Sequence, residues 1–151
     1  MRPLLALLLG LTPTLTEARP CQLPSAARSF QLAAASPLFY AVIHGQFDTD
    51  ATGRLIQPFH LTGQRLTPSG FTTRFSEPVT YSYVCPKGME GCPTYIRAPE
   101  PAQGPVLAFI EITDQGYVLT EQGCWSETVV ANPSPQDLAT VTACIRGEPC
   151  Q

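Results

Sequence analysis

Sixteen prolines and eleven glycines punctuate the 151 residues of this chain, and the stretches between them are short. Proline breaks helix interiors, and glycine weakens helices and strands alike. A chain cut this finely favours short strands joined by turns over long helices. Ser25 to Ala35 is rich in alanine and predicts a short helix with Phe30 inward, ended by Ser36-Pro37. Leu38 to Ile43 is a continuous apolar run, the pattern of a strand buried on both faces. It exits through His44-Gly45 into a polar turn at Asp48 to Gly53. From Phe59 the pattern alternates, with Phe59 and Leu61 against His60 and Thr62. Phe71, Thr73 and Phe75 alternate after Pro68-Ser69-Gly70, and Val79 and Tyr81 share the next face. Val106 to Ile112 is a second apolar run, and Asp114-Gln115-Gly116 turns it into Tyr117-Val118-Leu119, which reads as a hairpin. Ser134-Pro135-Gln136-Asp137 is a helix start, with Ser as N-cap and an acid in the first turn. Leu138, Val141 and Ile145 then share a helical face. Five or six strands with a terminal helix predict a mainly β domain, a small closed or partly closed barrel.

The N-terminus adds a second constraint. Arg2 precedes an apolar run from Leu4 to Leu11, and Thr16-Glu17-Ala18 offers small residues at the two positions a signal peptidase reads. The run falls short of the roughly 20 apolar residues a membrane helix needs. Residues 1–18 therefore read as a signal peptide cleaved after Ala18, leaving 19–151 as a single domain in a secreted or periplasmic setting. All six cysteines, Cys21, Cys85, Cys92, Cys124, Cys144 and Cys150, lie beyond that point. An even number in an oxidising compartment reads as a disulfide framework. Fifteen pairings are possible. Cys85 and Cys92 flank a Pro/Gly-containing loop, and Cys144 and Cys150 flank a short one with Gly147, so both pairs look local. That leaves Cys21 with Cys124, a bridge whose long loop could contribute roughly 4–5 kcal/mol.

Chemistry-bearing residues are sparse. The formal charge is −3, which gives no grip on nucleic acid. The chain has no Cys-x-x-Cys and no Gly-x-Ser-x-Gly, so zinc spacing and a hydrolase elbow are both missing. Asp48-Thr49-Asp50 with Gly53 begins like a calcium loop but lacks the later ligands, and a polar turn fits it better. His44 and His60 are the only histidines. With Asp48 they form the one metal trio worth testing, as a metal-binding protein or a metal-assisted enzyme. Glu111 interrupts the second apolar run, and alternation places it on a solvent face together with Phe109. Trp125, beside Cys124, is the sole tryptophan, and if exposed it would anchor a partner.

The order of these features resembles the netrin-like module, an OB-type barrel also found in tissue inhibitors of metalloproteinases. The resemblance is carried by an N-terminal cysteine, an Ala-rich helix, Phe39-Tyr40-Ala41-Val42-Ile43-His44-Gly45, and Val79-Thr80-Tyr81-Ser82-Tyr83-Val84-Cys85. It continues with Val106-Leu107-Ala108-Phe109, then Gly116-Tyr117-Val118-Leu119 with Cys124, and a helix closing on Cys144. It implies a small OB-like barrel of five to six strands, stapled by disulfides, with a short N-terminal and a C-terminal helix. It also implies the Cys21–Cys124 tie and a role in binding proteins. Those inhibitors present the α-amine of the first cysteine of a Cys-x-Cys pair to a protease zinc. Here Leu23 stands at the second position and Pro20 precedes Cys21. The expectation is therefore an exported, non-enzymatic binding or inhibitory module without a cofactor. Its partner would be an extracellular or periplasmic protein, met through Cys21, Gln22, Leu23 and Trp125. A structural envelope protein is a further reading. Intact mass of the secreted chain should show loss of residues 1–18 and, on reduction, a gain of six hydrogens, one per cysteine. A smaller gain would break the three-disulfide reading.

Overall fold

The computed structural model describes residues 25–51, 56, 59–84, 104–122 and 128–150. The helix α1 (Ala26–Ala35) precedes five strands, β1 (Phe39–Phe47), β2 (Phe59–Thr67), β3 (Gly70–Val84), β4 (Val106–Thr113) and β5 (Gly116–Gln122). A short β6 (Val129–Ala131) and the helix α2 (Pro135–Ile145) follow. The sheet order is β1-β2-β3-β5-β4-β6, and β1 also pairs with β4. Five strands thus close into a ring, with β6 appended to β4. Every pairing is antiparallel except β3 with β5, which is parallel. This is the small OB-like barrel with two flanking helices that the sequence predicts.

Closure depends on β1. Its residues Ile43, His44 and Gly45 pair with β2 on one edge and β4 on the other. Gly45 lies opposite Gly63, and the two backbones nearly touch. A Cβ on Gly45 would sit 2.3 Å from the Thr62 carbonyl oxygen, and one on Gly63 would sit 2.3 Å from that of His44. Any side chain at either position would force the strands apart.

Two apolar layers follow from the ring. Inside it lie Ala41, Ile43, Phe47, Phe59, Leu61, Phe75, Val79, Val106, Ala108, Ile110 and Leu119. Outside it, Val42, Leu66, Leu107, Phe109 and Val130 are buried with Ala26 of α1 and Val141 of α2, and Phe30, Leu138 and Ile145 pack on them. The central stretches of β1 and β4 are therefore covered on both faces, which is why their sequences run continuously apolar. One expectation fails here. Phe109 does not face solvent; it packs beneath the helices, and Glu111, two residues on, is half-buried.

Phe71 and Phe75 also part company. A regular strand would put both on one face, yet Phe71 packs on the outer layer and Phe75 belongs to the inner one. The register supplies the reason: Arg65 pairs with Thr73 but Leu66 with Phe71. Thr72 is thus an extra residue, a bulge that reverses the facing of what precedes it. Further along, Pro78 sits within β3 without breaking it. Its partner His60 accepts a hydrogen bond through its carbonyl from the Asp48 N–H, so the His60 backbone points away from β3. The Pro78 nitrogen accordingly points away from β2, where no ladder bond is required.

Local signals fix the ends of elements. Ser25 caps α1 by accepting from the Arg28 N–H. Ser134 and Asp137 cap α2 reciprocally: the Asp137 N–H donates to Ser134 Oγ at 3.1 Å and the Ser134 N–H to Asp137 Oδ2 at 2.8 Å. The β2–β3 and β4–β5 turns share a Thr-x-x-Gly device. Thr67 and Thr113 each accept from a backbone N–H two residues on and donate to the carbonyl of the glycine that opens the next strand. Those glycines, Gly70 and Gly116, have φ of 96° and 118°, the region that suits glycine. After α2 the Cys144–Cys150 disulfide closes the predicted local loop. Gln31 donates to the Cys150 carbonyl, which ties that loop to α1. Among the described residues no helix is long and apolar enough to cross a membrane. Gly45→Ala and Gly63→Ala should each destabilise the fold by roughly 3 kcal/mol through overpacking, and Ser134→Ala by about 1 kcal/mol through loss of the cap. Denaturant titration of the three variants checks both the size and the order of these effects.

Candidate functional site

One end of the barrel carries both hairpin turns and the beginning of β1. There the pairing sets Phe39 opposite Ile112, and Ile112 opposite Tyr117. Phe39 follows the alternation of Ala41 and Ile43, both inside the ring, so the three residues form a row across the mouth. Ile112 and Tyr117 are half-buried against the inner core, and the Tyr117 ring meets Phe75 edge-on at 4.9 Å. Phe39 itself remains 79% exposed, and its neighbour Leu38 is 48% exposed.

The local sequence explains this exposure. The inward face of α1 is built from Ala26, Ser29, Phe30 and Ala33. Leu32 lies off that face, in the last turn, and is 43% exposed. Ser36-Pro37 then stops the helix, and the chain enters β1 at the rim of the barrel, before inner or outer layer can cover it. Arg65 joins the same end from β2, opposite Ile43 on one side and Thr73 on the other. Alternation from Phe59 and Leu61 through Gly63 turns Arg65 toward the interior, and it is half-buried. The mouth thus combines an apolar, aromatic rim with the Arg65 guanidinium. Such a set suits contact with an apolar surface bearing a negative group.

The expected metal trio is not brought together. His60 Nδ1 lies 3.7 Å from Asp48 Oδ2, both on the opposite end of the barrel. His44 sits on the outer face of β1, its ring 5.7 Å from that of Phe71. Its partner across the ladder is Gln64, four residues from His60, or about 13 Å along the strand. Among the described residues no three His, Cys, Asp or Glu side chains cluster as metal ligands. The expected contact residues Cys21, Gln22, Leu23 and Trp125 lie outside the described residues, as do Cys85, Cys92 and Cys124.

The apolar run from Leu38 to Ile43 predicts interior positions for Leu38 and Phe39, because such a run does not reveal which of its ends is covered. The preceding Ser36-Pro37 is the available signal, since it places the run's first residues at a chain reversal. Arg65 was legible as the one charged residue in the inward-facing series of β2. Comparison with known proteins returns no match for this chain: no protein-family model, no curated protein and no solved structure aligns with it significantly.

Proposed function

We propose that this chain is an exported, non-enzymatic module that binds a protein partner through the hairpin end of its barrel. The observation that carries the reading is Phe39, a phenylalanine at the rim of a well-packed barrel with most of its surface in water. Isolated surface apolar residues are ordinary. Here Leu38 and Leu32 lie within one helix-to-strand connection of it, and Ile112 and Tyr117 continue the apolar row across two further strands. Aromatic anchors ringed by secondary contacts dominate protein interfaces. Side chains from all five ring strands fill the interior.

Export is supported by the charged-then-apolar N-terminus and by six cysteines beyond it. The Cys144–Cys150 bridge is compatible with an oxidising compartment. The likeness in feature order to netrin-like modules points the same way, toward binding of proteins rather than chemistry on a substrate.

The test compares wild type with Leu38→Ser/Phe39→Ala by crosslinking in the exported fraction, followed by affinity measurement on the purified pair. A defined partner should bind wild type. The double variant should bind it roughly 30-fold more weakly, as loss of an anchor worth about 2 kcal/mol requires. Its folding stability should stay within about 0.5 kcal/mol of wild type, because surface positions contribute little burial. Equal affinity of the two proteins would refute the reading.

A further inference from the structure

Resting on that reading, we propose that the hairpin-end mouth recognises an acidic side chain set beside an apolar one on an extended protein segment, with Arg65 as the anion-binding group. Three observations lead here. First, Arg65 breaks the inward series of β2, where Phe59 and Leu61 are buried and Gly63 meets Gly45. A half-buried guanidinium at such a position carries a desolvation cost that a carboxylate would offset. Second, it has no hydrogen-bond or ion-pair partner among the described residues. Neither Glu77 nor Asp114 supplies one. Glu77, further along β3 from Thr73, the Arg65 partner, forms no ion pair with Arg65. Asp114 lies in the β4–β5 turn and forms no ion pair with Arg65. Third, the cation lies toward the same end of the barrel as Phe39, the most exposed of the large apolar side chains described. Phe39 stands four residues before Ile43, the Arg65 partner on β1, about 13 Å along the strand, a separation that an extended segment can span.

The complementary ligand therefore carries an apolar group for Phe39, Ile112 and Tyr117 and a carboxylate for Arg65. A side-chain carboxylate fits better than a chain terminus. Terminal carboxylates are captured by convergent backbone N–H groups, whereas successive N–H groups of a strand point to opposite edges. The cation offered here is a side chain, and its planar fork matches a carboxylate in two parallel hydrogen bonds.

The experiment titrates the ¹⁵N-labelled, disulfide-intact protein with the capped peptide acetyl-Phe-Gly-Glu-amide and with its Gln counterpart. The Glu peptide should shift the Arg65 Nε–H and the amides of Phe39, Ala41, Ile112 and Tyr117, bind about ten-fold tighter than the Gln peptide, and weaken as salt rises. Arg65→Gln should bind the two peptides equally, and Arg65→Lys should keep part of the preference because it retains the charge without the fork. A dispersed spectrum of each variant establishes that it folds. Equal affinity of wild type for both peptides, or shifts confined to another surface, would overturn the assignment. If Leu38→Ser/Phe39→Ala abolishes partner binding while Arg65→Gln leaves it unchanged, the acidic assignment fails and the protein-binding reading stands. If neither variant changes partner binding, both fail.

Discussion

Closure of the ring turns on the meeting of Gly45 and Gly63. At that point β1 is hydrogen-bonded along both edges, so three strands must share a corner where the backbones of two of them come into contact. Hydrogen fits the space and a methyl group does not. The first half of β1 serves β4 and its second half serves β2. Without that double pairing the sheet would stay open, and the inward residues of β2 and β3 would have no opposing wall.

Once the ring is closed, it produces two environments from one sheet. The inner one is packed by side chains alternating along every strand. The outer one lies over β1, β4 and β6 and reaches Leu66 of β2 and Phe71 of β3, where α1 and α2 pack. Each helix is anchored by chemistry at its ends. The Ser134–Asp137 pair starts α2, and Arg146 reaches from its far end to the Pro68 carbonyl in the β2–β3 turn. The Cys144–Cys150 loop hands the tail to α1 through Gln31. The helices thus clamp the outer layer, and among the described residues they leave Phe39 exposed at the hairpin end.

Much of this was legible locally. Ser134-Pro135-Gln136-Asp137 announced a capped helix, Asp114-Gln115-Gly116 announced a tight turn, and the alternation at Phe59 and Leu61 gave the correct inward face. What local sequence does not carry is what depends on a distant partner. Phe71 parts from Phe75 only because β2 imposes a shifted register, and nothing within residues 71–75 signals it. The Gly45–Gly63 contact joins two glycines that each look like ordinary turn punctuation. The same limit governed the site. His44, His60 and Asp48 were the obvious candidates by residue type, but strand geometry separates His44 from the other two. Phe39 and Arg65 are unremarkable as letters and acquire meaning from the rim they share.

The β1–β4 ladder also bears on how the chain reaches this state. Its first pairing joins Phe39 to Ile112 and its last joins Gly45 to Val106, spans of 112 − 39 = 73 and 106 − 45 = 61 residues. The hairpins β2–β3 and β4–β5 need only local loops and can form early, as can the six-residue Cys144–Cys150 loop. Ring closure must recruit both ends of a long intervening segment and bear its loop entropy before any of the contacts are gained. Assembly therefore has a built-in order, with hairpins and the C-terminal clip first and the β1–β4 seam last. Until that seam closes, both apolar faces of β4 lack their cover, and the vulnerable species on the pathway is a chain complete in its parts but open along one strand.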